Sequence, residues 1–204
     1  MGRIEAYTHI QQRENASCST VAMHSLLPFL PQPESITALY ENTNSISDIV
    51  HVVGNEFANN GIMIQPIIMD PGARPSLFFR NVHHNLRHGN KGVQFIGGLL
   101  ATQEENSQHV IAITGVHETK TPKFDIMDTA PHNVGKQFYR RVSGNFLDRR
   151  INYDLCDEPN AIAIAGMNRD VFEQAQFYNP QKGFEADMQS LLYELNTYFL
   201  NQRI

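Results

Sequence analysis

The segment Gln11-Gln-Arg-Glu-Asn-Ala-Ser-Cys18-Ser-Thr-Val-Ala-Met-His-Ser-Leu-Leu27 changes abruptly from polar to apolar composition. Apolar side chains recur at helical spacing after Cys18, so a helix is predicted over residues 18–29. A thiol at a helix N-terminus lies at the positive end of the helix dipole, beside backbone N–H groups without intrahelical partners. Both features favour the thiolate and can lower the ordinary thiol pKa of about 8.5 by several units. Cys18 is therefore a candidate nucleophile.

Two later segments offer partners for this thiol. His109 opens the apolar segment His109-Val-Ile-Ala-Ile-Thr-Gly115, a predicted strand, and Asp128 ends the next predicted strand. His109 would act as general base and acid, and Asp128 would fix its tautomer by accepting a hydrogen bond from the other ring nitrogen. Gln12 could donate its side-chain amide to an oxyanion, alongside the backbone N–H of Cys18. The four residues form a candidate catalytic site with a Cys-His-Asp triad.

Each of these residues also has a structural explanation. A single cysteine at a helix start more often packs as a small apolar side chain. His109 alone fits the surface end of a strand, and Asp128 alone fits a turn. It is the combination and order of the residues that favours the catalytic interpretation.

Composition and charge predict one globular domain over residues 1–204. The hydrophobic content of 41% and the charged content of 18% are typical of a folded chain of this length. The net charge of −5 argues against a nucleic-acid partner. The basic pairs 140–141 and 149–150 are predicted to be surface residues.

Cysteine usage and the first residues bear on the compartment. The chain has two cysteines, Cys18 and Cys156, too few for a disulfide scaffold, and Cys156 is predicted to be structural. A working thiol must stay reduced, which favours the cytoplasm. The first ten residues lack a signal-peptide pattern, and no apolar run approaches the ~20 residues of a membrane span. Secretion into a host cell without a cleavable signal peptide stays open.

Periodicity and breaker residues predict an α+β fold with an antiparallel sheet and flanking helices. Helices are predicted over 18–29, 36–41, 45–60, 76–88, 169–178 and 182–202. Strands are predicted over 62–69, 93–100, 109–116, 123–128, 138–142 and 161–166, with the first broken by Pro66. Residues 70–72 are predicted to form a turn and residues 103–108 a polar loop.

Three histidines, His83, His84 and His88, invite a metal interpretation because 84 and 88 are four residues apart on a predicted helix. No glutamate follows His84 and no third ligand is evident in the sequence. A solvated helix face is therefore predicted, with no metal and no cofactor.

Gln12, the Cys18 helix start, the His109–Gly115 strand and Asp128-Thr-Ala-Pro131 together resemble the papain-like cysteine peptidase superfamily, most closely the C39-like, bacteriocin-processing peptidases. The layout is also similar to that of small bacterial effector proteases and glutamine deamidases. The resemblance implies a papain-like fold, with the nucleophile helix packed against an antiparallel sheet and the site in the cleft between them. Ser19 departs from the pattern, because those peptidases usually have glycine directly after the cysteine.

The resemblance implies thiol-dependent attack on an amide of a protein or peptide substrate, with cysteine protease as the first expectation. A glutamine deamidase, acyltransferase or transglutaminase would use the same triad. A non-catalytic binding module that keeps the fold is the alternative of another class, and Ser19 is its main support. The oligomeric state and the identity of the substrate are left open.

Overall fold

The computed structural model describes residues 18–26, 62–88, 93–104, 107–129, 139–151 and 159–168. Three helices lie in these ranges: α1 (Cys18–Ser25), α2 (Pro75–His88) and α3 (Gly144–Arg150). Six strands accompany them: β1 (Ile62–Ile68), β2 (Gln94–Glu104), β3 (Ser107–His117), β4 (Lys123–Met127), β5 (Tyr139–Ser143) and β6 (Ala161–Asn168).

The strands form one sheet in the order β1-β6-β2-β3-β4-β5, and every neighbouring pair is antiparallel. Strands β2 to β5 follow one another along both the chain and the sheet. The last described strand, β6, inserts between β1 and β2. An antiparallel sheet with helices packed on it confirms the α+β prediction.

Two adjacent glycines of β2 show how α1 and α2 lie on the sheet. A Cβ atom on Gly97 would lie 2.6 Å from a methyl group of Leu26, the residue that directly follows α1. A Cβ atom on Gly98 would instead collide with the ring of Phe79 in α2. Successive residues of a strand face opposite sides of the sheet, so α1 and α2 cover opposite faces.

The α2 face holds the larger described core. Phe78, Phe79, Val82 and Leu86 of α2 are buried there against apolar side chains of the sheet. Helix α3 packs against the start of α2, where Asp148 accepts hydrogen bonds from the backbone N–H and the hydroxyl of Ser76. A carboxylate at this position satisfies a donor of the first helical turn, which has no partner within the helix.

Two local predictions are wrong, and one helix was not predicted. Pro66 does not break β1, because β1 lies at the edge of the sheet formed by the described strands, where a missing N–H costs little. The predicted loop over residues 103–108 is mostly strand, since β2 runs to Glu104 and β3 starts at Ser107. The helix α3 was not predicted, because seven residues beginning with Gly144 carry little helical periodicity.

Other predictions are confirmed by the described elements. The turn at residues 70–72 is present, closed by a 3.1 Å hydrogen bond from the Ala73 N–H to the Asp70 carbonyl, with Gly72 at a φ of 81°. The helices predicted over 36–41, 45–60, 169–178 and 182–202 lie outside the described residues, as do Gln12 and Cys156. Among the described helices, none is both long and apolar enough to cross a membrane.

Candidate active site

Helix α1 places Cys18 at its first residue, as the sequence predicts. Three successive residues of the helix, Val21, Ala22 and Met23, are buried, and α1 packs against β3 and β2. Burial of these residues fixes the helix on the sheet, whereas Cys18 itself is only partly buried and is not part of a disulfide. The candidate nucleophile is therefore held in place on a residue that is only partly buried.

His109 and Asp128 form a buried hydrogen-bonded pair beside this helix. His109 is the third residue of β3, and Asp128 directly follows β4, the neighbouring strand. The His109 Nε2 and Asp128 Oδ1 atoms are 2.9 Å apart, with 7% and 1% of the two side chains exposed. A buried pair of this kind holds the imidazole in one orientation and one tautomer.

Cys18 is the second hydrogen-bond partner of the His109 ring. Because Nε2 faces Asp128, Nδ1 is the ring nitrogen left to face the sulfur. Burial by itself would lower the pKa of His109, but the hydrogen bonds and negative charges of Asp128 and Cys18 raise it to about 9. The imidazole is therefore protonated at neutral pH, and its charge favours the Cys18 thiolate.

Two residues that the sequence did not single out support this arrangement. The hydroxyl of Thr102, buried in β2, donates a 3.1 Å hydrogen bond to the backbone carbonyl of His109. Arg140 of β5 places its Nη2 atom 3.8 Å from Asp128 Oδ2, and its guanidinium lies over the ring of Phe146. Thr102 fixes the strand at His109, and Arg140 adds a positive charge near the acid.

The sequence alone does not connect Thr102 or Arg140 to the candidate site. Thr102 faces His109 only because β2 and β3 form a tight hairpin, which the predicted loop over 103–108 obscured. Arg140 belongs to a basic pair that the sequence predicts to lie at the surface. Both arginines of that pair have specific acidic neighbours, since Arg141 donates to Asp125 at 2.7 Å.

A second histidine–aspartate pair lies farther along the same two strands. His117 Nε2 is 2.6 Å from Asp125 Oδ2, and Arg141 donates to both oxygens of that carboxylate. Burial would raise the pKa of Asp125, but the hydrogen bonds and charges of Arg141 and His117 lower it. This pair is a natural control for experiments on His109 and Asp128.

His84 and His88 are exposed on α2, as the predicted solvated helix face requires, and the structure adds an acidic neighbour to them. No third ligand was evident beside His84 and His88 in the sequence, but the connection after β3 brings Glu118 to them. The three residues are separated by too much chain for sequence spacing to reveal the cluster. They are the described residues that could hold a metal ion.

None of the protein-family models matches this chain, and comparison with the curated proteins yields no match either. A functional conclusion for this chain therefore depends on the chemistry of the site itself.

Proposed function

We propose that the protein is a thiol-dependent hydrolase that attacks an amide through Cys18, His109 and Asp128, acting as a cysteine protease. The observation that carries this proposal is the buried His109 ring, which bonds to Asp128 on one side and to Cys18 on the other. A nucleophile, an acid–base group and an orienting group in contact are the arrangement that covalent catalysis needs.

The first half of the reaction forms a thioester. The Cys18 thiolate attacks the carbonyl carbon of the amide, a C–S bond forms, and the carbonyl π electrons move to the oxygen. The backbone N–H of Cys18, at the start of α1, is a donor for that oxyanion. The intermediate then collapses, the C–N bond breaks, and the His109 imidazolium gives its proton to the departing amine.

The second half of the reaction hydrolyses the thioester and regenerates the free enzyme. Neutral His109 takes a proton from a water molecule, and the resulting hydroxide attacks the thioester carbon. The C–S bond breaks, the carboxylic acid leaves, and the thiolate–imidazolium pair is restored. Asp128 keeps the ring oriented in both halves and stays ionised throughout.

The papain-like fold is part of the same proposal. It is supported by a helix that begins at the cysteine and packs on an antiparallel sheet, with the histidine on one strand and the aspartate after the next. Gln12 is proposed as a second donor to the oxyanion, and it lies outside the described residues.

The test uses p-nitrophenyl acetate, a general acyl donor, because the natural substrate is unidentified. We expect a burst of p-nitrophenol and an intact protein heavier by one acetyl group, which peptide mapping places on Cys18. Cys18→Ser should abolish the burst, and His109→Ala should slow it strongly. The matched control, His117→Ala, removes the other aspartate-paired imidazole of β3 and should keep the burst.

The same preparations distinguish the kinds of reaction. Incubation with a mixture of peptides and methylamine should give new N-termini for a protease, ammonia without cleavage for a deamidase, or incorporated methylamine for a transglutaminase. Acetylation that is equally fast in Cys18→Ser, or that maps to other residues, would contradict the proposal and favour a non-catalytic binding module.

A further inference from the structure

We propose that His84, His88 and Glu118 form a binding site for a divalent transition-metal ion of the Zn²⁺ class, separate from the thiol site. One ligand atom from each residue lies within 4.8 Å of those of the other two. The two histidines come from the last turns of α2, and the glutamate comes from the connection that follows β3.

The spacing of the atoms suits a small cation. Two ligands that bind Zn²⁺ tetrahedrally, each about 2.1 Å from the metal, are about 3.4 Å apart. The His84 Nδ1 and Glu118 Oε2 atoms are 3.2 Å apart, and the His84 and His88 ring centroids are 4.4 Å apart. Residues four apart on a helix present both imidazoles to the same side, so small side-chain rotations complete the set.

A neighbouring histidine holds the carboxylate in position. His83 Nδ1 lies 2.8 Å from Glu118 Oε1, the oxygen that His84 does not contact, and the His83 ring packs edge-to-face on Phe95. Outer partners that orient a ligand in this way typically strengthen metal binding.

The cluster is open to solvent. The His84 side chain is 56% exposed, and a cleft of about 380 Å³ reaches His84 and Glu118, so an ion can enter and keep water in its remaining position. Arg80 also lines this cleft, with its guanidinium turned to the side chain of Asn81.

The position of the site predicts what the metal does. His109 and His117 are eight residues apart on β3, or about 27 Å along a strand. A metal on Glu118 is therefore far from Cys18 and cannot take part in its chemistry. It would instead tie the end of α2 to the turn between β3 and β4, and so stabilise the folded state.

The test measures Zn²⁺ binding by isothermal titration calorimetry, on protein without a histidine tag. The Cys18→Ser variant serves as the parent, because the thiolate of the proposed catalytic site is itself a zinc ligand. We expect one Zn²⁺ per chain and a rise in Tm with zinc. His88→Ala and, separately, Glu118→Gln should each weaken binding by more than roughly tenfold, the scale on which even outer-shell changes act.

His117→Ala is the matched control and should bind zinc as the parent does. His88 is exposed, so its replacement should leave the fold intact, which circular dichroism checks. No binding by the parent, or equal binding by the parent and both ligand variants, would overturn the proposal. Because the parent lacks the thiol, either result is independent of whether Cys18 is catalytic.

Discussion

The His109 Nε2 and Asp128 Oδ1 atoms lie 2.9 Å apart in a region where 7% and 1% of the two side chains reach solvent. Burial of an ionised carboxylate is costly unless charged partners and hydrogen bonds compensate for it. Here the compensation comes from the imidazolium of His109 and, 3.8 Å away, from the guanidinium of Arg140. The same pairing that stabilises Asp128 keeps a proton on the ring that faces Cys18.

Replacement of Asp128 by asparagine should lower the pKa of His109 from about 9 towards its ordinary value of 6.5, because the carboxylate charge is lost. NMR titration of ring-labelled histidine measures this pKa directly. A His109 pKa that is the same in Asp128→Asn and in the unmodified protein would contradict the assigned cause.

The raised pKa of His109 also predicts a pH dependence of stability. The folded state holds the proton more tightly than the unfolded state, so the His109 contribution is complete below pH 6.5 and is lost as the pH rises through about 9. We expect the stability difference between the protein and His109→Gln, measured by urea unfolding, to shrink over this range. A stability difference that grows with pH would contradict the predicted direction of the pH dependence.

Thr102 is predicted to be a positioning residue for His109. Thr102→Val keeps the shape of the side chain but removes the hydroxyl that donates to the His109 carbonyl, at a cost of about 1 kcal/mol in the free energy of unfolding. Acylation of Cys18 should slow as well. The pH dependence of the acylation rate should also shift, because the His109 ring changes position. Thr114→Val is the control, since it removes a similar 3.2 Å bond to the Asp125 carbonyl. Equal acylation rates in the two variants would contradict a positioning role.

Gly97 is predicted to allow the close packing of the α1 segment on the sheet. A Cβ atom there would lie 2.6 Å from a methyl group of Leu26, which directly follows α1, and 3.0 Å from the Ile113 carbonyl oxygen, so the buried Leu26 side chain must shift. Gly97→Ala should destabilise the fold by about 1–3 kcal/mol and lower the reactivity of Cys18. Gly98→Ala strains the α2 face instead, and it should destabilise the fold with a smaller effect on the thiol. If Gly98→Ala lowered the reactivity of Cys18 more than Gly97→Ala did, the assignment of the two glycines to opposite faces of the sheet would be contradicted.

Asp125 is predicted to make the protein sensitive to acid. Its pKa is lowered in the folded state, so its contribution is present above the ordinary value of 3.8 and is lost as the pH falls through the lower folded-state value. Asp125→Asn should cost about 1–3 kcal/mol at neutral pH, because Arg141 and His117 lose a buried partner. The cost should diminish in acid, as chemical unfolding at several pH values would show.

The sequence predicts the described helices and strands well where apolar residues recur at a regular spacing within one element. Strands β3 and β4 and helix α2 lie within two residues of their predicted bounds, because alternation and helical spacing are local properties. The insertion of β6 between β1 and β2 was not predicted, because strand order depends on contacts between distant segments.

In the candidate site, too, local features could be predicted and contacts between distant segments could not. Cys18, His109 and Asp128 could be selected from their places at a helix start, a strand start and a strand end, and the structure brings the three together. Their catalytic role stays a prediction. Thr102 and Glu118 could not be selected, because each matters only through the register of β2 with β3 or the approach of the β3–β4 turn to α2.

The most direct test is the pH dependence of iodoacetamide alkylation at Cys18, followed by mass spectrometry with Cys156 as the internal reference. A thiolate–imidazolium pair predicts that Cys18 reacts rapidly well below the ordinary thiol pKa of about 8.5, with a second step near pH 9 as His109 loses its proton. In His109→Ala the reaction below pH 8 should slow and the second step should vanish. A single titration near pH 8.5, equal for both cysteines and unchanged in His109→Ala, would contradict the account.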